Sequence, residues 1–327
     1  MTTNLADIFP AAYRTCFVMA GQRTELVNEI RLRMEQPAIL MEGGKEFFIR
    51  KDGVYTEHMD QAWRPDRQAL QEIVSHLCQY SLYAYEDELR QGYITIEGGH
   101  RVGIVGQAVQ ENAGSIRTIK HISAINIRIA HQVLGAATPV LPYIYKKGSM
   151  YNTLIVSPPG CGKTTLLRDL VRQISSGNVY GPARTVGVVD ERSEIAGCYM
   201  GQPQNDLGPR SDVLDACPKA LGMMMLLRSM SPAVLAVDEL GSGEEIRAVR
   251  MAASCGVSLV ATIHGMDRQD VLGKPGMGDL LAEGIFTCML VLWRDGQGRC
   301  RIRQVMHRRQ TDGMWEEVAV DGQTGRF

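Results

Sequence analysis

The residue types and spacings in this chain that could do phosphate chemistry fall into four short stretches. The first is Ser157-Pro158-Pro159-Gly160-Cys161-Gly162-Lys163-Thr164-Thr165, small residues followed by a lysine and two hydroxyls. Glycines let backbone N–H groups close on an anion, the lysine neutralises it, and a hydroxyl offers oxygen to a hard cation. The pattern GxxxxGK[ST] is met except at its first position, where Ser157 replaces glycine. Serine is small enough for that place provided its backbone avoids positive φ. The second stretch is the acid pair Asp238-Glu239 at the end of the apolar run SPAVLAV. Such a pair can hold the water shell of Mg²⁺ with one carboxylate and orient and deprotonate an attacking water with the other. Asp190, Glu191 and Glu194 close a third run, and His264 a fourth.

Each of these also has a plain reading: a turn before a helix, solvated acids with Arg192 as an internal partner, a structural histidine. The elements around them decide. NTLIV reads as a central strand and KTTLLRDLVRQISS as an amphipathic helix with Leu166, Leu167, Leu170, Val171 and Ile174 inward. Strand, loop and helix are the setting a phosphate loop requires. TVGVVD, AVLAVD, VSLVATI and CMLVLW are short apolar runs of the kind buried in a parallel sheet. The carboxyl ends of such strands face one crevice. The expected roles follow: the loop 157–165 binds ATP, with Lys163 on the β- and γ-phosphates and Thr165 near the α-phosphate. Thr164 and Asp238 serve Mg²⁺, Glu239 serves the lytic water, and His264 senses the γ-phosphate. Glu191 belongs to a supporting acidic cluster.

The expected fold is an α/β P-loop NTPase with a parallel-sheet core and a smaller N-terminal α+β domain. The first third looks rich in helix, with RPDRQALQEIVSHLCQYSLYAYEDELRQG placing Leu70, Ile73, Val74, Leu77 and Leu82 inward. After Gly92, YITIEGGHRVGIVGQAV predicts a β-hairpin around Gly98-Gly99, with further strand in ISAINIRIA. Prolines and the Lys146-Lys147-Gly148 turn interrupt ATPVLPYIYKKGSMYN. The domains are therefore expected at 1–140 and 151–327, with a linker at 141–150.

With 35 basic and 36 acidic residues, total charge points to neither a nucleic-acid nor a membrane surface. Eight scattered cysteines without a CxxC pair argue against a zinc site or a disulfide framework. No secretory leader is evident, and no apolar run approaches the roughly 20 residues of a membrane span. A cytoplasmic protein is expected.

GYITIEGGHRVGIVG, ISAINIRIA, PPGCGKTTLLRDL, VVDERSEI, GPRSDVLDACPKALGMMMLLRSMSP, VDELG and ATIHG together resemble the stage III sporulation protein AA family, over nearly the whole chain. That family is similar to the hexameric motor ATPases of type II and type IV secretion and is also classed with AAA+ ATPases. The resemblance implies Lys163 and Thr164 as the nucleotide site, Asp238 and Glu239 as the Walker B pair, Glu191 as an acidic-box analogue and His264 as a histidine-box analogue. Asp238 departs from the secretion motors, which usually lack an aspartate there. The resemblance further implies a homohexameric motor on the mother-cell side of the channel to the forespore, peripheral to the membrane and acting with membrane proteins of that channel. Arg128, Arg210 and Arg228 are candidates to complete a neighbouring subunit's site.

Other classes of function are compatible with a P-loop. A nucleic-acid remodelling ATPase would use GGHRVGIVG, whose Gly103-Ile104-Val105-Gly106 matches the GxxG of a KH domain, as a binding loop. Its apolar middle and the balanced charge argue against that partner. A nucleotide-gated scaffold with little turnover is the third reading. No NKxD motif supports a GTPase, and no lid is identifiable for a small-molecule kinase. Met223-Met224-Met225 reads as helix packing.

Overall fold

The computed structural model describes residues 4–81, 85–90, 92–112, 115–146, 148–296 and 299–320. By contacts the chain divides into two units, Met1–His131 with Gly197–Gln204, and Gln132–Ala196 with Asn205–Phe327.

The first unit is built on a seven-stranded antiparallel sheet in the order β4-β3-β2-β1-β7-β6-β5. Its strands are β1 (Val27–Arg33), β2 (Ile39–Glu42), β3 (Lys45–Ile49), β4 (Tyr55–Thr56), β5 (Tyr93–Ile96), β6 (His100–Asn112) and β7 (Ser115–Arg128). Short helices α1 (Val18–Gln22) and α3 (Glu86–Arg90) accompany α2 (Arg67–Leu77). Asp66 caps α2 by accepting the Ala69 N–H. The helix buries Leu70, Ile73, Val74 and Leu77 in one core with Ile30, Leu32, Val102, Ile104, Ile125 and Ile127 of the sheet. Alternate residues of these strands therefore face the core, as the period of a pleated strand demands. Leu82, expected inward, lies outside the described residues.

Two expectations for this region are corrected. The first third carries as much strand as helix: β1 to β4 occupy much of 27–56, where charged residues alternate with the buried ones and hide the strand pattern. Gly103 to Gly106 lie inside β6, paired with β5 and β7, and form no loop. A KH-type clamp requires that tetrapeptide free to meet a phosphate backbone, so the nucleic-acid reading loses its carrier.

The second unit opens with α4 (Leu141–Ile144) and a small hairpin, β8 (Tyr145–Lys146) with β9 (Ser149–Met150). The expected linker at 141–150 is thus structured and belongs to this unit, whose break from the first falls at His131/Gln132. Its residues fold because Leu141, Tyr143, Ile144 and Tyr145 are buried. Lys147 lies outside the described residues.

An eight-stranded sheet follows, in the order β12-β11-β13-β14-β10-β15-β16-β17. The strands are β10 (Thr153–Ser157), β11 (Val186–Asp190), β12 (Ser211–Asp215), β13 (Val234–Val237), β14 (Ser258–His264), β15 (Cys288–Arg294), β16 (Cys300–Arg308) and β17 (Trp315–Val318). All pairs from β12 to β15 are parallel, and β16 and β17 extend the sheet antiparallel. The helices are α5 (Lys163–Ser176), α6 (Lys219–Ser229), α7 (Gly243–Ser254), α8 (Arg268–Leu272) and α9 (Met277–Ala282). The five apolar positions of α5 named above are fully buried. Met223 is buried on α6 and Met225 exposed, so the methionine run serves helix packing on one face.

Candidate functional site

Register brings the chemistry to one edge. Ser157 pairs with His264 across β10 and β14, and Val237 pairs with Ala261, which sets Asp238 beside Thr262. Ser157 is the last residue of β10 and fully buried. An extended strand residue has no need of glycine, which is why serine is tolerated at the first position of the motif. Gly160 and Gly162 have φ of 72° and 81°, the left-handed region where a side chain is costly, and the chain turns through them into α5.

Lys163 begins that helix and is almost wholly buried. Its Nζ donates to the carbonyls of Ser157 and Pro158, both at 3.4 Å, and lies 2.9 Å from His264 Nδ1. Burial pushes its ammonium below the usual lysine range, and the carboxylates of Glu239 and Asp238 oppose that shift. Thr164 Oγ1 donates to one oxygen of Asp238 at 2.7 Å, and the Thr262 hydroxyl donates to the other. The same Thr262 hydroxyl accepts the Glu239 N–H at 2.9 Å.

Glu239 is a non-glycine residue at φ 54°. Its Oε1 lies 2.8 Å from His264 Nε2 and its Oε2 3.3 Å from the Arg192 guanidinium. With Nδ1 accepting from Lys163, these partners assign the His264 proton to Nε2. A chain of hydrogen bonds therefore runs from Lys163 through His264 to Glu239.

The acidic cluster after β11 splits. Asp190 is 2% exposed and accepts the N–H groups of Glu194, Ile195 and Ala196 at 2.9, 3.0 and 2.7 Å. Burial pushes its carboxyl up to about 6 against those bonds. It is the cap of its own turn. Glu194 lines the cleft, and its carbonyl accepts from Arg168 at 2.6 Å. Glu191 faces Lys219 Nζ at 3.3 Å in a narrow crevice that it shares with Asp190, Asp238 and Glu239.

Gly160, Gly162, Lys163, Thr164, Glu239 and His264 line one open cleft of ≈ 550 Å³, within the range of small-ligand sites. Pro159 and Thr165 also border it. Cys161 is buried. Among the arginine candidates, Arg210 donates to the carbonyl of Ser175 at 3.1 Å, at the end of α5 opposite Lys163. Arg228 is exposed on α6, and Arg128 ends β7 of the first unit.

The model of the family described as Sporulation stage III, protein AA matches residues 2–312. The chain belongs to that family. Stage III sporulation protein AA of Bacillus subtilis (strain 168) is 42% identical over 293 residues, 89% of this chain and 91% of that protein. Among solved structures, this sporulation-family chain is similar to the pilus retraction motor PilT with bound ADP, at TM-score 0.59 and 16% identity over 90% of this chain and 83% of the other. It is also similar to the Legionella pneumophila ATPase DotB, at TM-score 0.55 and 14% identity over 89% and 80% of the two chains. At such identities the likeness is one of fold, a P-loop ATPase-like α/β architecture. The sporulation-stage III assignment and this fold agree with the expectations from sequence.

Several site residues of this family member were not singled out from sequence. Thr262 stands two residues before His264, on the same face of β14, and that spacing was a usable signal. Lys219 is the first residue of α6, where the helix dipole disfavours a cation. A lysine in that place signals acids nearby. Arg168 of α5 and Arg294 of β15, both within the second unit, gave no sequence signal. Arg294 lines the cleft with Cys300, its partner across the β15–β16 pair.

Proposed function

We propose that this sporulation protein is an Mg²⁺-dependent ATPase that works as a homohexameric ring, energising a secretion-like channel between mother cell and forespore. The observation that carries the reading is the convergence of Lys163, Thr164, Asp238, Glu239 and His264 through direct contacts at one edge of the parallel sheet. The donor set suits the metal: Thr164 Oγ1 and the Asp238 carboxylate are adjacent hard oxygens. When bound, Mg²⁺ supplies charge neutralisation on the β- and γ-phosphates.

The chain's own residues do the rest. Backbone N–H groups of 160–165 and the start of α5 hold the phosphates, and Lys163 Nζ balances their charge. Glu239 orients the attacking water and takes its proton on a carboxylate oxygen. His264 Nε2–H holds that carboxylate in place, and its Nδ1 contact with Lys163 links the water-activating acid to the phosphate-binding lysine. Glu191 supports the acid cluster from the adjoining crevice. The ring reading rests on the shared fold with PilT and DotB and on a site open to one side, where an arginine from a neighbour would meet the γ-phosphate.

No helix among the described residues is long and apolar enough to cross a membrane. Work on the channel would then be done from the membrane surface, through membrane proteins. The test is ATP turnover of the purified protein beside Lys163→Ala and Glu239→Gln, with nucleotide binding and mass measured on the same samples. Turnover lost in both variants, ATP retained by Glu239→Gln and a nucleotide-dependent hexamer are expected. ATP bound through Lys163 without turnover under any condition, including with the membrane partners, would leave a nucleotide-gated scaffold.

A further inference from the structure

Lys219 has no part in the motifs above, yet like Lys163 it meets three groups at the sheet edge. Its side chain is 12% exposed and its Nζ meets three groups: the Glu239 carbonyl at 2.6 Å, Glu191 at 3.3 Å and Glu245 at 3.2 Å. Glu245 in turn accepts the N–H groups of Gly241 and Ser242 at 2.7 and 3.1 Å and completes the capping box of α7. The loop from Glu239 to Ser242 is thus gripped by one lysine and one glutamate that are themselves paired.

The grip falls on a strained residue. Glu239 holds φ 54°, a region that costs a non-glycine residue free energy and persists only where the surroundings over-determine it. Thr262 fixes its N–H and Lys219 fixes its carbonyl. Those two bonds hold the two peptide planes on either side of the Glu239 Cα, which set the direction in which its side chain leaves toward His264. The Leu240 N–H, in the same peptide as the Glu239 carbonyl, donates to the Thr262 carbonyl at 2.9 Å, so without the lysine bond that peptide is held at one end only, and its freedom to tilt carries the carboxylate off its line to His264.

We infer that Lys219 is a positioning residue for hydrolysis, which holds Glu239 in its left-handed conformation and docks Glu191 beside it. This rests on the ATPase reading above. Lys219 lies outside the cleft lining and meets no phosphate-binding group, so its removal should spare nucleotide binding.

The experiment compares Lys219→Met, Lys219→Arg and the wild type for kcat, KM and equilibrium binding of a fluorescent ATP analogue. Lys219→Met is expected to lose roughly 10- to 100-fold in kcat, the scale of an ångström-sized misplacement, with binding changed less than about threefold. Lys219→Arg, which keeps charge and donors, should recover part of the loss. Because Lys219→Met leaves Glu245 short of a partner, Lys219→Met/Glu245→Gln removes the charge together with its counterpart and should show the same kcat defect. Added to Glu239→Gln, Lys219→Met should change residual turnover less than about twofold, since the lysine acts through that side chain. Wild-type kcat in Lys219→Met, or equal losses in kcat and binding, overturns the inference alone. Absence of Lys163-dependent turnover in the wild type removes it together with the ATPase reading.

Discussion

Asp190 and Asp238 follow paired residues, Val189 and Val237, at the ends of neighbouring parallel strands, yet they do different work. After Asp190 the chain curls back, and three consecutive N–H groups at 194–196 are aimed at its carboxylate. After Asp238 the chain turns left-handed at Glu239 and leaves toward α7, so the Asp238 oxygens are met by hydroxyls, one of them on the phosphate loop. Asp215 ends the next strand and belongs with Asp190: it pairs with it in register and accepts the Ser193 hydroxyl at 2.7 Å. A carboxylate at a strand end is therefore not assigned by its place in the sheet. The backbone that follows it decides whether its lone pairs are used by its own turn or presented to a ligand.

The sharpest test of this contrast is kinetic. Glu239→Gln should lower kcat by roughly 10²- to 10³-fold while ATP binding changes little, the behaviour of a residue acting in the transition state. Asp190→Asn should leave kcat of the folded protein within about threefold. Comparable kcat losses in the two variants would erase the distinction. Stability should run the other way: Asp190→Ala strands three buried N–H groups and is expected to cost roughly 2 to 4 kcal/mol in urea unfolding, with little change for Glu239→Gln.

Titration sharpens the same contrast. The Asp190 carboxyl sits at about 6 in the folded chain against 3.8 for its ordinary value. Between those values the folded state holds the proton more tightly than the unfolded one, so the proton-linked part of the Asp190 contribution to stability is full below about 3.8 and is lost as pH rises through about 6. The difference in stability between wild type and Asp190→Asn, followed by urea unfolding from pH 4 to pH 7, should shift against the wild type across that window and level off above it. The smallest expected effect belongs to Thr262→Val. It removes the hydroxyl shared by Asp238 and the Glu239 N–H, and one net hydrogen bond corresponds to roughly a fivefold fall in kcat at unchanged fold.

What the sequence made legible follows from how locally each feature is written. The phosphate loop is read from consecutive residues, and the five buried leucine, valine and isoleucine positions of α5 from helical spacing alone. The parallel strands announce themselves because both of their faces are covered. β1 to β4 did not, because Glu29, Arg31 and Arg33 alternate with Ile30 and Leu32 on a sheet with one polar face. The available signal was Gly43-Gly44, both at positive φ, the two-residue turn that joins β2 to β3. Lys219 and Thr262 gain their meaning from partners 20 to 24 residues away, Lys219 from the Glu239 carbonyl and Thr262 from Asp238. Juxtapositions of that kind are tertiary, and the sequence carries only hints of them: a lysine misfitted at the start of a helix, and a threonine two residues before His264.

The short segment Gly197–Gln204 has a consequence for how the protein is made. It lies between stretches of the second unit in sequence but belongs to the first, where Gln204 accepts the Gly98 N–H at 3.0 Å and Tyr199 accepts from the Gln79 amide. A chain emerging from the ribosome would hold residues 4–131 with the Gly98 N–H and the Gln79 amide still lacking these partners until residue 204 had followed. Synthesis at about 5 to 20 residues per second makes that a wait of several seconds. The last hydrogen bonds of the first unit therefore close only after the phosphate loop has been made, so completion of the earlier half waits on the later one.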